Sequence, residues 1–439
     1  MIVASSSDSI EGWWIFSRVA LTKSHGSLLR NFDDLGTIEM TNRTLSPAAA
    51  YGLVAAVIGL ALFASGTPSP LYTTYRELWG FSPAVLTLVY ATYAFGVLAS
   101  LVLAGRVSDE VGRRPVLLTA LATLMGATVV FMLADSVAWL FVARGIQGLA
   151  TGLALGAASA ALLDLHPRRD AAGVGLTNGV VSAGGMGLGV LVSSALVELA
   201  PAPRVLPYVA LLVLFAIVFA GALAMPEPVR RTAGRARLTP QRPSVPPAVR
   251  RPFLLAALGV VSSWSIGGLF LSLGPQLSAA VFHSTDHFVT GIGIFLLAGA
   301  GAVAQLLFGR AAPWLCASLG SIALSAGMVL IVLAAGAESA ALYLAGAVVG
   351  GGGFGVAFLG GLRVLSAAIP PAHRAQVMSA FYIVAYGAIS LPAVAAGIAV
   401  TPLGLQSTFE IFGSVVAALA LVVAIEAYRQ RPQVALSPA

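Results

Sequence analysis

From residue 47 onward the chain alternates long apolar runs with short polar breaks. The runs predict membrane-crossing helices at 47–66, 84–104, 116–134, 138–163, 172–197 and 205–225. Six more follow at 253–274, 288–308, 314–335, 339–362, 375–399 and 407–427. Each is about 20 residues or a little more, the length that carries an α-helix across roughly 30 Å of hydrocarbon. The two that flank residues 105–115, Ala84 to Ala104 and Val116 to Ala134, contain no charged residue. The breaks carry stop and start signals. Thr67-Pro68-Ser69-Pro70 closes span 1, and His166-Pro167-Arg168-Arg169-Asp170 separates spans 4 and 5.

The twelve spans fall six and six about one long change of character. Residues 226–252 are rich in proline and hold Arg230, Arg231, Arg235, Arg237, Arg242, Arg250 and Arg251. The chain thus divides into a leader at 1–46, a six-span half at 47–225, a basic linker at 226–252, a second six-span half at 253–427 and a tail at 428–439. In the leader, Ile10 to Leu21 is short and carries Glu11 and Arg18, which suits a surface helix better than a signal peptide. Met40 offers an alternative start that would leave residues 1–39 outside the working protein. The halves repeat each other. Phe141 to Asp164, followed by a Pro-Arg break, compares with Tyr343 to Leu365, followed by Pro370-Pro371-Ala372-His373-Arg374, at an offset of about 203 residues.

Composition agrees with this pattern. Of the 439 residues, 58% are hydrophobic and 9% charged, against about 25% charged in a soluble domain. The net charge of +7 raises nucleic acid as a partner, but the basic residues cluster in alternate loops and orient the chain instead. With the N-terminus in the cytoplasm, twenty Arg and Lys lie on that side and only Arg76 and Arg204 on the other. Both termini and the linker are therefore expected in the cytoplasm, with the bilayer as the main partner and no nucleic acid bound. The single cysteine, Cys316, excludes an internal disulfide and a cysteine metal cluster.

One break does more than turn the chain. Gly105-Arg106-Val107-Ser108-Asp109-Glu110-Val111-Gly112-Arg113-Arg114-Pro115 joins spans 2 and 3 and adds an acid and two glycines to its basic residues. It resembles the loop between helices 2 and 3 of the major facilitator superfamily, written G-x-x-x-D-R/K-x-G-R-R/K. The match is Gly105, Asp109, Gly112, Arg113 and Arg114, and Glu110 departs from it. The resemblance implies an all-α polytopic membrane protein, twelve transmembrane helices in two six-helix halves with pseudo-two-fold symmetry, rocking about a central site. It also implies that Asp109 pairs with Arg113 near the start of helix 11, at Ala375, as a conformational gate between the halves. The antiporter branch usually shows Gly-Pro in span 5, whereas Gly179, Gly184, Gly185, Gly187 and Gly189 here include none.

Arg144 lies inside span 4, in Arg144-Gly145-Ile146-Gln147-Gly148. A cation at that depth needs a partner. The expected partners are substrate, a carbonyl freed near the span 5 glycines, or a rim acid such as Glu198; the competing reading is a snorkelling anchor. Further candidates for substrate binding or coupling are Gln147, Tyr90, Tyr93, Asn178, Trp264, Gln276, Gln305, Tyr382 and Tyr386. No carboxylate lies at mid-membrane, so a proton carrier is not evident. His283, Asp286 and His287 hint at a metal, although their place in the 7–8 loop suits an exposed loop better. No Ser/His/Asp set supports an enzyme, and no cofactor is called for. The chain is expected to work as a monomer in the cytoplasmic (inner) membrane, as a secondary transporter that exports a drug-like or amphipathic solute, with protons as the candidate coupling ion. Uptake of a small organic anion or metabolite, or a transport-inactive receptor or scaffold, are the alternatives, and the retained Asp109 motif argues against the last.

Overall fold

The computed structural model describes residues 44–105, 107–228 and 243–431. The expectations for the leader, the tail and most of the linker fall outside the described residues. Twelve long helices are present: α1 Pro47–Gly66, α2 Pro83–Ala104, α3 Arg113–Met132, α4 Val137–Leu165, α5 Ala171–Leu199 and α6 Leu206–Leu223. They continue as α7 Arg250–Phe282, α8 His287–Phe308, α9 Pro313–Ala337, α10 Ala340–Ala368, α11 Arg374–Leu403 and α12 Leu405–Arg429. All twelve stretches are long and apolar enough to cross a membrane, and no strand occurs among the described residues. Two short helices, Leu71–Trp79 and Val107–Val111, fill the first two connections.

The starts are set by caps. Ser46 and Ser82 each accept a hydrogen bond from an amide three residues on and precede a proline at the first helical position. Asp170, Asp286 and Ser339 cap α5, α8 and α10 in the same way. Two helices run past the ends expected at 274 and 362, to Phe282 and Ala368. Gly274-Pro275 reads as a stop, but α7 continues through it to Phe282, because a proline interior to a helix removes one amide without removing the packing around it.

The repeat is visible in the register. Helix α4 runs from 137 to 165 and α10 from 340 to 368, so both ends are 203 apart. Helices α1, α2, α4, α5, α7, α8, α10 and α11 surround the middle, with α3, α6, α9 and α12 outside them. The two halves meet chiefly where α2 packs on α11 and α5 on α8. Small residues bring backbones together within each half: a methyl on Gly148 would sit 2.2 Å from the Tyr93 carbonyl of α2, and one on Gly353 would sit 2.1 Å from the Leu324 amide of α9. Without a hydrophobic driving force between helices in lipid, such close packing is what holds the bundle. The four glycines 350–353 thus serve contact, and α10 runs through them unbroken.

For orientation, the end of the bundle bearing residue 47, the 2–3 loop and the linker is called the linker face, and the other end the far face.

Candidate functional site

Between the halves lies a cavity of about 570 Å³. Eight helices line it, from Ser65, Tyr90 and Ile389 at its deep end to Gly105, Gly175 and Met378 near the linker face. One wall is aromatic. The Trp264 ring meets Tyr386 edge-on at 5.3 Å and Phe358 at 5.5 Å, with Tyr382 and Phe354 beside them. The other wall is small and polar: Ser159 of α4, Gly175, Asn178, Gly179 and Ser182 of α5, and Gln305 of α8. No Asp, Glu, His, Lys or Arg lines the cavity among the described residues.

Four buried polar atoms on these walls have no hydrogen-bond partner: Asn178 Oδ1, Gln305 Oε1, Trp264 Nε1 and Ser379 Oγ. Gln305 reaches the wall because residue 179 is glycine; a Cβ there would stand 2.1 Å from its carboxamide oxygen. Unpaired polar atoms are costly in a low-dielectric interior, so four around one cavity mark it as a place where a partner is expected to arrive.

Arg144 and Gln147 sit behind this wall and do not line it. Arg144 is 0% exposed. Its Nε donates to Tyr72 Oη at 2.7 Å, and Nη1 donates to the Ser65 carbonyl at 3.1 Å and to Gln147 Oε1 at 2.8 Å. Gln147 in turn donates to the Ala64 carbonyl at 2.8 Å. These carbonyls are free for a covalent reason. Pro68 has no amide to return to Ala64, and helix α1 ends before Ser69 can return one to Ser65. Arg144 and Gln147 therefore cap the C-terminus of α1, where a cation is also favoured by the helix dipole. The rings of Tyr72, Tyr93, Phe131 and Tyr90 stand 5.4, 5.4, 5.7 and 6.0 Å from the guanidinium carbon. The partners expected for Arg144 are corrected accordingly. The carbonyl comes from span 1, not from the span 5 glycines, and Glu198 is engaged elsewhere. Gln276 lies near the far end of α7, off the cavity, with its Nε2 unpartnered.

On the linker face, Asp109 pairs with Arg113 at 2.5 Å, and Arg113 also binds Asp164 at 3.0 Å and Ser108 at 2.7 Å. Arg114 reaches the Leu223 carbonyl. The N-terminus of α3 is held by Glu227, whose two oxygens accept from the Arg113 and Arg114 amides at 2.8 and 3.0 Å. Gly112 permits this: its φ is +109°, and a methyl on it would lie 2.7 Å from the Glu227 carboxylate. The Asp109 side chain is 54% exposed, and among the described residues no hydrogen bond or ion pair joins it to α11. Among the described residues, the polar contacts between the halves lie on the far face instead. Ser69 donates to the Leu271 carbonyl at 2.6 Å, and His287 meets Glu198 at 3.1 Å and Thr74 at 3.2 Å. The far side is fastened and the cavity extends toward the linker face.

The sequence of residues 54–393 matches the description of the Major Facilitator Superfamily. The chain belongs to the major facilitator superfamily. It is a multi-pass membrane protein of a family of transporters. One relative is the multidrug resistance protein MdtL of Escherichia coli O45:K1 (strain S88 / ExPEC), 36% identical over 100 residues. That alignment covers 23% of this chain and 26% of the relative's own length. MdtL of Escherichia coli O139:H28 (strain E24377A / ETEC) is 35% identical over the same span length. Among solved structures, the human organic anion transporter MFSD10 (TETRAN) superposes with a TM-score of 0.63 at 17% identity, covering 88% of this chain and all of that one. A POT family transporter in complex with 5-aminolevulinic acid superposes with a TM-score of 0.67 at 13% identity, over 87% of this chain and 96% of that one. Identity this low carries the superfamily fold and nothing finer.

The structure brings together Tyr90, Tyr93, Asn178, Trp264, Gln305, Tyr382 and Tyr386 on one cavity and sets Arg144, Gln147 and Gln276 apart from it. The histidines separate: His283 pairs with Glu338 at 3.2 Å, His287 pairs with Glu198, and Asp286 caps α8. No cluster with metal-ligand geometry occurs among the described residues. Sequence reasoning did not single out Ser379, Glu227 or Ser69. Ser379 is one small polar residue in an apolar helix, and nothing in its local pattern separates it from a packing serine. Glu227 does carry a signal, as an acid between Pro226 and Pro228 directly after a span.

Proposed function

We propose that this protein is a secondary active transporter that exports a drug-like or amphipathic solute from the cytoplasm by alternating access. The observation that carries the reading is the uncharged aromatic cavity between the halves, extending toward the linker face while polar contacts fasten the far face. Basic residues crowd the linker face, as the positive-inside rule requires of a cytoplasmic side, so solute enters from within the cell in this conformation. The membrane is the cytoplasmic one and the protein acts as a monomer. The partial likeness to a multidrug resistance protein supports the same direction. Rocking about the α2–α11 and α5–α8 contacts then releases solute outside. The test is a solute panel in proteoliposomes of known orientation, with and without a pH gradient. Movement from the linker-face compartment to the far-face compartment is expected; accumulation in the opposite sense would replace export by uptake.

A further inference from the structure

The cavity resolves into more than an apolar hollow. We propose that it selects neutral, planar aromatic solutes that carry an amide or lactam edge. The inference rests on reading the cavity as the transporter's solute site.

Three observations carry it. The first is the absence of a counter-charge on the wall among the described residues. A carboxylate entering here must shed its water with no cation on the wall to receive it, because Arg144 is wholly buried behind that wall, with its Nε and Nη1 bound to Tyr72, Ser65 and Gln147. Stripping that ion costs more than a screened attraction across a layer of side chains returns. A cation fares worse. No acid lines the wall to receive it among the described residues, and the Arg144 guanidinium, whose hydrogen bonds go to Tyr72, Ser65 and Gln147, stands behind Tyr90 and Tyr93 and repels it.

The second is the character of the four unpartnered atoms. Asn178 Oδ1 and Gln305 Oε1 are carboxamide acceptors on α5 and α8, which pack together. Trp264 Nε1–H is a donor and nothing else, and it belongs to α7, packed on α11, which carries Ser379. A solute with an N–H beside a C=O carries the complement of both sides, and a carboxamide turned to the cavity pairs with such an edge at two points. The third is shape. Trp264, Tyr386 and Phe358 form a tilted and edge-on aromatic wall that a flat ring system fits, and about 570 Å³ holds a drug-sized molecule.

The experiment uses four compounds on one ring system: 2-quinolinone, its N-methyl derivative, quinoline-2-carboxylate and N-methylquinolinium. Binding to the purified full chain in nanodiscs is measured by calorimetry, and flux in proteoliposomes is measured separately. 2-Quinolinone is expected to bind about tenfold more tightly than its N-methyl derivative, the worth of one hydrogen bond, and more tightly than either ion. Trp264→Phe keeps the ring contact and loses the donor, so it should weaken 2-quinolinone about tenfold at unchanged protein levels. Gln305→Leu should close the gap between 2-quinolinone and its N-methyl derivative. Tighter binding of either ion, no saturable binding of 2-quinolinone, or wild-type affinity in Trp264→Phe overturns the assignment. Binding without flux would leave the site standing and remove the transport reading; flux of the ions alone would keep transport and remove this site chemistry.

Discussion

Two sets of buried polar side chains lie within the same bundle, and they are opposite in kind. Arg144, Gln147, Tyr72 and the carbonyls of Ala64 and Ser65 partner one another behind the cavity wall, with only Arg144 Nη2 left over. Asn178, Gln305, Trp264 and Ser379 line the cavity with a polar atom apiece left over. In lipid both sets are expensive. The first is kept because it repairs a break that Pro68 makes in α1. The second has no such internal use. Depth in the membrane therefore does not identify a functional polar residue; what sorts these two sets is whether a break in a helix backbone supplies their partners.

The largest effect that would break this comparison is at Arg144. Arg144→Ala leaves the Ser65 carbonyl, Tyr72 Oη and Gln147 Oε1 unpaired, at about 1–3 kcal/mol for each buried group. Against a total stability of about 5–15 kcal/mol, membrane levels should fall sharply. Arg144→Lys should fall as well, because a single ammonium cannot reach three acceptors in that fork. Levels and thermal unfolding in detergent are the measurement. Normal levels with lost transport would return Arg144 to the substrate site.

Asp109 comes next. Its pair with Arg113 is half exposed and contributes little to this conformation. The N-terminus of α11 has no side-chain cap, whereas that of α3 is held by Glu227. Asp109→Asn should keep normal levels but reduce turnover about tenfold or more, since the charge that would meet α11 when the linker face closes is gone. Wild-type turnover in this variant removes the gate.

The clasp at the far face should give a smaller shift. Glu198→Gln weakens the contacts its carboxylate makes with the His287 amide and ring, and shifts the balance between the two facings toward the one open at the far face. A cysteine at Ser194, which abuts Gly291 across the halves, reports it in a Cys316→Ser background. Faster labelling from the far side is expected; unchanged labelling would mean that the clasp holds nothing.

These expectations also show what the chain displayed before folding. The spans, the halves, the 2–3 loop and most of the cavity's aromatic and amide residues were legible, because hydropathy, charge bias and one motif are local signals. The division of Arg144 from Trp264 was not. Both are polar residues inside an apolar helix, and only the path of α1 past Pro68 determines which finds a partner. The cross-half contacts were hidden for the same reason: Ser69 and Leu271 lie 202 residues apart.

That contact supplies the sharpest test of the rule. Pro275 has no amide, so the Leu271 carbonyl one turn earlier lacks its regular partner in its own helix. Ser69 Oγ donates to it from the other half, at the far face, at 2.6 Å. If a proline-freed carbonyl is what holds Ser69 in place, the two positions must be coupled. Ser69→Ala alone should cost about 1 kcal/mol of the far-closed state and raise Ser194 labelling about fivefold. Pro275→Ala restores the amide, and Leu271 then closes its bond inside α7. In that background Ser69→Ala should cost almost nothing, and the coupling energy of the double-mutant cycle should equal nearly the whole single effect. Additive effects would mean that Ser69 acts through packing, and that the carbonyls freed by proline do not decide which polar groups this bundle keeps for itself.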